Sequence, residues 1–248
     1  MKLKIIGSSS QGNCYILQPT AGKALILEAG RPIEELGKAL KYKWDNVAGV
    51  LITHEHGDHA GHVRAFQSRG LEIYATKGTA EALVNCDVFL IDEAPQFQLG
   101  DFKIRWFKTV HDAASPCGYL IAHPEMGKLL FITDSAEIPY KFKGVNHLLL
   151  EANYDDRHPN FNDLSKSYIE RVRLSHLSIK QACDFIGSNE HDKLATITLC
   201  HVSSRNATKH GVKTQIKSLC EYLAIAPAIN VATPWLIINL PKFNEPNF

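Results

Sequence analysis

The stretch Leu51-Ile-Thr-His54-Glu-His56-Gly-Asp58-His59-Ala-Gly-His62 gathers three histidines and an aspartate into residues 54–59. It follows the apolar run 47–52, which reads as a buried strand closed by Thr53. Alternate residues at a strand end point the same way, so His54 and His56 can reach one cation. Asp58 and His59 come where the chain must turn and start a helix, with Gly57 and Gly61 allowing a tight backbone, and can face a second cation close to the first. Imidazole nitrogen and carboxylate oxygen suit Zn2+, Mn2+ or Fe2+. Two divalent ions that close can share a bound hydroxide, lower its pKa toward neutrality and stabilise charge on phosphodiester oxygens. Asp58 would orient that water or take its proton. Surface histidines are the plainer explanation, but three of the chain's twelve beside one aspartate, directly after a buried strand, favour a metal.

One such cluster cannot fill two coordination shells, so more donors must lie at other strand ends. The segment 102–110 ends at His111, 128–133 ends at Asp134, and 194–199 ends at Cys200-His201. All seven expected metal ligands (His54, His56, Asp58, His59, His111, Asp134 and His201) offer nitrogen or oxygen. Cys200 would point to the opposite side of its strand from His201. His176, flanked by Ser175 and Ser178, can bind a scissile phosphate or protonate a leaving oxygen, against a purely structural role. Asp112 can accept a hydrogen from a ligand imidazole or merely cap its turn. Ser203 and Asn206 can meet phosphate, although Asn206 can instead cap the helix that follows. The loop Gly7-Ser8-Ser9-Ser10-Gln11-Gly12-Asn13 can hydrogen-bond a phosphate or be only a polar turn. Glu151 and Asp155 read as braces of the site and not as a catalytic carboxylate pair. His123 and His147 sit in or beside apolar strands and suit core or edge roles.

These residues need positioning elements. Segments 3–6 and 14–17 suggest a hairpin, 24–27 a strand, and Pro32 opens a helix over 33–40 with Ile33, Leu36, Gly37 and Leu40 on one side. Short helices are expected at 63–68 and 79–83, with strands at 71–75 and 88–91. Hairpin patterns run through 97–110 and 118–133, and a strongly apolar strand over 145–150. Segment 156–167 is polar without a convincing period, and 168–172 has helical character. Ser178 can cap a helix through Ile186. Residues 208–222 are amphipathic, and 235–240 supply a last strand. Lys209, Lys213 and Lys217 line one face of the 208–222 helix and could meet a nucleic-acid backbone; a solvated face explains them equally well.

At 248 residues the chain suits one domain, 1–248, of α/β (α+β) class. Lys plus Arg is 27 against 26 for Asp plus Glu, so a polyanion would be held by a local patch and not by a global field. Six scattered cysteines point to free thiols in a reducing compartment, and no run approaches membrane-spanning length, so a cytoplasmic location is expected.

The motif His54-x-His56-x-Asp58-His59, followed in order by His111, Asp134 and His201, resembles the metallo-β-lactamase superfamily. Gly7-Ser-Ser-Ser-Gln-Gly-Asn13-Cys14-Tyr15, His111-Asp112-Ala113 with Pro116-x-Gly118-Tyr119, Glu151-Ala-Asn153-Tyr-Asp155, Ser175-His176-Leu-Ser178 and Leu199-x-His201-x-Ser203-x-x-Asn206 resemble its small YycJ/WalJ-like branch. The resemblance implies a four-layer αββα fold with two metal ions per chain. His54, His56 and His111 would hold one ion, Asp58, His59 and His201 the other, and Asp134 would bridge them. It also implies a nucleic-acid substrate, DNA before RNA, and 5′-to-3′ exonuclease activity in DNA repair or processing. The rivals are a small-molecule hydrolase of the same fold, acting on a thioester, lactone or cyclic phosphodiester, and a catalytically silent DNA-binding module. Two departures stand out. Asp134 is followed by Ser135-Ala136 where the family has Thr-Gly, and the segment between Asp155 and His176 is unlike the branch.

Overall fold

The computed structural model describes residues 1–243, which fall into two compact units. The first comprises Met1–Lys108, Ala113–Gly127 and the chain from Thr233; the second comprises Thr109–Asp112 and Lys128–Ala232.

In the first unit, β1 (Lys2–Gly7), β2 (Cys14–Gln18), β3 (Ala24–Leu27), β4 (Val47–Leu51), β5 (Ile73–Ala75), β6 (Val88–Leu90) and β14 (Ile237–Asn239) form one sheet. Its order is β14-β1-β2-β3-β4-β5-β6. It is antiparallel from β14 to β3 and parallel from β3 to β6. The expected strand at 47–52 is there, with Val50, Leu51 and Ile52 fully buried. Helix α1 (Ile33–Leu40) buries Ile33, Leu36, Gly37 and Leu40, the four residues its period placed on one side. Each large apolar side chain so covered contributes about 1.5–3 kcal/mol. Lys41, at φ 54°, ends the helix in the left-handed region. The short helices α2 (Gly57–Ala60), α3 (Val63–Gln67) and α4 (Lys77–Ala82) follow, α4 two residues earlier than its apolar pattern suggested because Thr76 caps it. Strands β7 (Gln96–Leu99), β8 (Phe102–Lys108) and β9 (Cys117–His123) pair antiparallel in sequence.

In the second unit, β10 (Gly127–Ile132), β11 (His147–Glu151), β12 (Thr196–Cys200) and β13 (Ala228–Val231) run parallel in that order. Strand β13 is absent from the sequence expectation: Ala228-Ile-Asn-Val is short and mixed, and only pairing with β12 makes it a strand. Helix α5 (Pro159–Asn162) lies in the polar segment that lacked a period, and α6 (Lys166–Ser175) spans the expected helical stretch 168–172. Tyr154, Phe161 and Val172 form a small buried cluster of their own. That cluster, and the Ser165 cap that accepts from the Tyr168 N–H, substitute for a long amphipathic stripe. Helix α7 (Ile179–Ser188) begins with a full capping box between Ser178 and Gln181, as the spacing indicated. Helix α8 (Lys209–Tyr222) is capped by Thr208 and not by Asn206. The cysteines are free, as expected. Among the described residues no helix is long and apolar enough to cross a membrane.

Candidate metal centre

In the first unit the sharp exit from β4 is clamped by two donors. Cys117 N–H and the Tyr119 hydroxyl donate to the carbonyls of Thr53 and Ile52 at 3.0 and 2.6 Å. Beyond this clamp, His54 and His59 are buried and their rings lie 4.2 Å apart between centroids; the His54 and His56 rings are 4.7 Å apart. Asp58 Oδ2 is 3.4 Å from His59 Nε2. The four residues of the motif therefore converge, as their spacing predicts.

Behind them is a hydrogen-bond relay that the sequence did not advertise. The Thr53 hydroxyl donates to Glu28 Oε1 at 2.6 Å and lies 2.9 Å from His54 Nδ1, whose N–H it can accept. That tautomer leaves the lone pair on Nε2, the arrangement a ligand histidine needs. Glu28 is fully buried at φ 67°, and its other oxygen takes the Thr53 N–H at 3.3 Å. Its Oε1 also sits 3.5 Å from His59 Nδ1. Burial pushes the Glu28 carboxyl above the usual carboxylate range, against the pull of His59 and Thr53.

Asn13 holds the motif from the other side. Its backbone N–H donates to the Asp58 carbonyl at 2.7 Å, and its side-chain amide donates toward His59 Nε2 at 3.1 Å. Gly12 (φ 130°) and Gly30 permit this approach: a Cβ on Gly30 would lie 1.8 Å from the Asp58 carbonyl oxygen, and one on Gly12 would lie 2.1 Å from the Gly30 carbonyl oxygen. The Ser8 hydroxyl is 2.9 Å from the Tyr15 hydroxyl, and the Ser9 carbonyl accepts from Gly12 N–H and from the Asn13 amide. Ser10 and Gln11 are exposed.

In the second unit the parallel strands deliver their donors at the C-terminal edge, where open parallel sheets gather sites. One atom from each of Asp134, Glu151, His176 and His201 lies within 4.8 Å of the others. Asp134 (φ 44°), two residues past β10, and His201 (φ 49°), directly after β12, both adopt the left-handed conformation. Non-glycine residues held there store local strain, a frequent mark of functional positions. Glu151, fully buried, organises the group. Its Oε1 is 2.8 Å from His176 Nδ1 and 2.9 Å from His201 Nδ1, and its Oε2 accepts the N–H groups of Leu177 and Ser135. Burial alone would raise the Glu151 carboxyl, but the His176 charge and these hydrogen bonds bring it below the usual range. Burial alone would lower His176, but Glu151 and Asp134 raise it.

His111 Nε2 is 3.7 Å from Asp134 Oδ2. Its Nδ1 lies 2.7 Å from the Ser175 carbonyl, closer than Asp112 Oδ1 at 3.3 Å. The backbone carbonyl is thus the nearer acceptor, and Asp112 takes the Ser175 hydroxyl hydrogen at 2.9 Å. Both hydroxyls flanking His176 are engaged structurally, Ser175 with Asp112 and Ser178 in the α7 cap. Ser135, in the place of the family threonine, is buried; its hydroxyl donates to the Glu137 carbonyl at 2.6 Å and accepts from Val110 N–H at 3.1 Å. Burial lowers His111, which favours the neutral, metal-binding form.

Other candidates separate from this group. Asn206 is buried and its amide donates to the Tyr168 hydroxyl at 3.3 Å. Ser203 N–H donates to the Asn153 carbonyl, so the loop after His201 is pinned to the end of β11. Asp155 pairs with Arg157 and Gln215. His123 packs on Phe102, and His147 lies 2.9 Å from the Thr196 hydroxyl, the core roles expected of them. Lys209, Lys213 and Lys217 are exposed, and Lys217 pairs with Glu221. The sequence reading missed Glu28, Thr53 and Asn13 as positioning residues. An acidic residue ending a buried strand, as both Glu28 and Glu151 do, was the available signal.

Each unit thus presents an all-nitrogen-and-oxygen donor set at its strand ends, with ring tautomers fixed by buried acceptors, and fits a hard or borderline divalent cation. The profile of the Beta-lactamase superfamily domain matches residues 31–197. Exodeoxyribonuclease YycJ of Bacillus anthracis is 26% identical over 240 residues, covering 89% of each chain. Exodeoxyribonuclease WalJ of Streptococcus pneumoniae is 27% identical over 229 residues, covering 84% of each. Among solved structures, the metallo-β-lactamase-fold protein YhfI from Bacillus subtilis superposes with a TM-score of 0.70 at 14% identity, covering 96% of this chain and 99% of that one.

Proposed function

Because the chain belongs to the β-lactamase superfamily domain family and is a metal-dependent hydrolase of the metallo-β-lactamase fold, we propose that its substrate is nucleic acid. It acts as a 5′-to-3′ exonuclease on DNA in repair or processing within the cytoplasm. The observation that carries this reading is the match to two exodeoxyribonucleases along most of the chain. The donor chemistry agrees, since carboxylate and imidazole without thiolate suit phosphodiester hydrolysis.

In this reading the two units work as one domain on two divalent ions, Zn2+ or Mn2+, with Fe2+ as the third fit to the donors. His54, His56 and His111 would hold one, Asp58, His59 and His201 the other, with Asp134 common to both. Bound there, the ions would lower the pKa of water and stabilise charge on phosphate oxygens. The chain's own groups do the rest. Asp58, with its side chain 22% exposed, orients the attacking water and takes its proton. His176, held through Nδ1 by Glu151 and raised in pKa, meets the scissile phosphate or protonates the departing sugar oxygen through Nε2. Exposed Ser10 and Gln11, with Ser8 and Ser9 shaping their loop, contact flanking phosphate, and Ser203 and Asn206 do so from the loop after β12.

The test is a digestion panel of end-labelled single- and double-stranded DNA and RNA with Mn2+ or Zn2+. DNA should be shortened from the 5′ end, and Asp58→Ala should abolish cleavage while leaving the fold intact. Equal cleavage by Asp58→Ala and parent overturns the mechanism. No turnover of nucleic acid together with rapid thioester hydrolysis would move the assignment to a small-molecule hydrolase. Binding of DNA without turnover of any substrate would make the chain a silent DNA-binding module.

A further inference from the structure

The segment between Asp155 and His176, which departs from the branch pattern, builds a platform in the second unit. Tyr154 and Phe161 stack at 4.9 Å, Val172 closes the cluster, and Tyr168 packs against it from α6. Two guanidinium groups sit over the Tyr168 ring: Arg205 with Cζ 4.8 Å from the centroid and Arg171 with Cζ 5.7 Å away. Arg171 follows Tyr168 by three residues on the same helix. Arg205 comes from the loop after β12, four residues beyond His201. That loop is fixed at both ends, by Asn153 amide to the His201 carbonyl at 3.0 Å and by Asn206 amide to the Tyr168 hydroxyl at 3.3 Å.

The neighbouring arginines show what is unusual. Arg157 and Arg173 are neutralised by Asp155 and Asp156, at 3.3 and 2.6 Å. Among the described residues neither Arg171 nor Arg205 has a carboxylate partner, and both are exposed. The ring quadrupole attracts each cation by about 0.5–1 kcal/mol at an exposed site, which orients a guanidinium without neutralising it. Two like charges gathered at one ring favour an anion, and the planar guanidinium fork matches phosphate oxygens.

We propose that Arg171 and Arg205, held over Tyr168, clamp the phosphodiester backbone of the nucleic acid a few nucleotides from the bond being cut. The proposal rests on the nuclease reading and adds to it the place where the strand is gripped. Four residues span at most about 14 Å, so Arg205 is within a few phosphates of His201. The Tyr168 ring is already engaged by the guanidiniums, which directs the contact to phosphate and not to a stacked base. The grip is therefore indifferent to sequence.

The experiment measures binding of a fluorescein-labelled 20-nucleotide single strand by anisotropy over a range of salt. The full chain is used in EDTA, and again with Mn2+ in the Asp58→Ala background so that nothing is cut. Two phosphate contacts on a single strand contribute about 1.4 to the slope of log affinity against log salt. The double variant Arg171→Gln/Arg205→Gln should lose about that much slope and bind on the order of 10- to 30-fold more weakly at 0.1 M salt. Arg171→Lys/Arg205→Lys, which keeps the charge, should recover most of the slope. Lys213→Gln/Lys217→Gln, which removes the same charge from α8, should change it far less. Circular dichroism and the thermal midpoint report whether each variant is folded; if the Gln pair unfolds, the single Arg205→Gln should lose about half the effect. An unchanged slope in a folded Gln variant, or an equal loss in the lysine control, overturns the clamp and leaves the nuclease reading standing. A parent chain that binds no strand under either condition overturns both.

Discussion

The Nδ1 atom of His176 lies 2.8 Å from Oε1 of Glu151, a carboxylate with no exposure to solvent. The same oxygen is 2.9 Å from His201 Nδ1, so one buried acceptor sets the ring orientation of two histidines at once. Glu151→Gln keeps the shape but replaces half of the acceptor capacity with an amide donor. Metal affinity, read by metal content after dialysis against a graded chelator, should fall by about 10- to 100-fold, with nuclease rate falling alongside it. Retention of full metal content would show that Glu151 serves the fold alone.

Thr53 makes the corresponding link in the first unit, between Glu28 and His54. Thr53→Val is close in shape but leaves Glu28 Oε1 without its hydroxyl donor inside the core. A destabilisation of about 1–3 kcal/mol is expected in urea unfolding. Metal affinity should drop with it, whereas Thr53→Ser should restore both.

Removal of the divalent ions should destabilise the chain. Asp134 and Glu151 are buried beside His176 and His201, and ligand binding to the folded state alone adds about 2.7 kcal/mol at a hundredfold excess over Kd. For a chain of this length that corresponds to a thermal midpoint lowered by about 5–10 °C after chelation. Zn2+ or Mn2+ added back should restore it. A midpoint indifferent to chelator and to added metal would count against a resident metal centre.

Glu125 offers a pH test far from the chemistry. Burial works to raise its carboxyl, but the backbone and side-chain hydrogen bonds of Thr20 outweigh it and pull the pKa down to about 2. An unfolded glutamate titrates near about 4.3. The folded value is the lower one, so the stabilisation is complete above about pH 4.3 and is lost as the pH falls toward 2. Glu125→Gln should flatten the acid limb of the stability profile in that window and lower stability by a constant amount above it. An unaltered acid limb would mean that the contact does not survive in solution.

Much of this protein was legible in the sequence because its signals are local. A run of apolar residues ending in His54-x-His56-x-Asp58-His59 fixes strand, turn and donor spacing within a dozen residues. Pro32 with Ile33, Leu36 and Leu40 fixes α1, and Ser178 with Gln181 fixes the start of α7. His111, Asp134 and His201 were legible as candidate donors because each ends a strand pattern. What tertiary structure alone decided is which buried polar groups hold those donors still. Glu28 serves Thr53 from 25 residues away, Asn13 serves His59 from 46, and Glu151 serves His201 from 50. No period or spacing encodes such pairs. They follow from strand order and from the requirement that a buried carboxylate or amide find a partner once the chain has closed around it. The left-handed turns at Glu28, Asp134 and His201, and the pairing that makes β13 a strand, arise in the same way: long-range contacts overrule local preference.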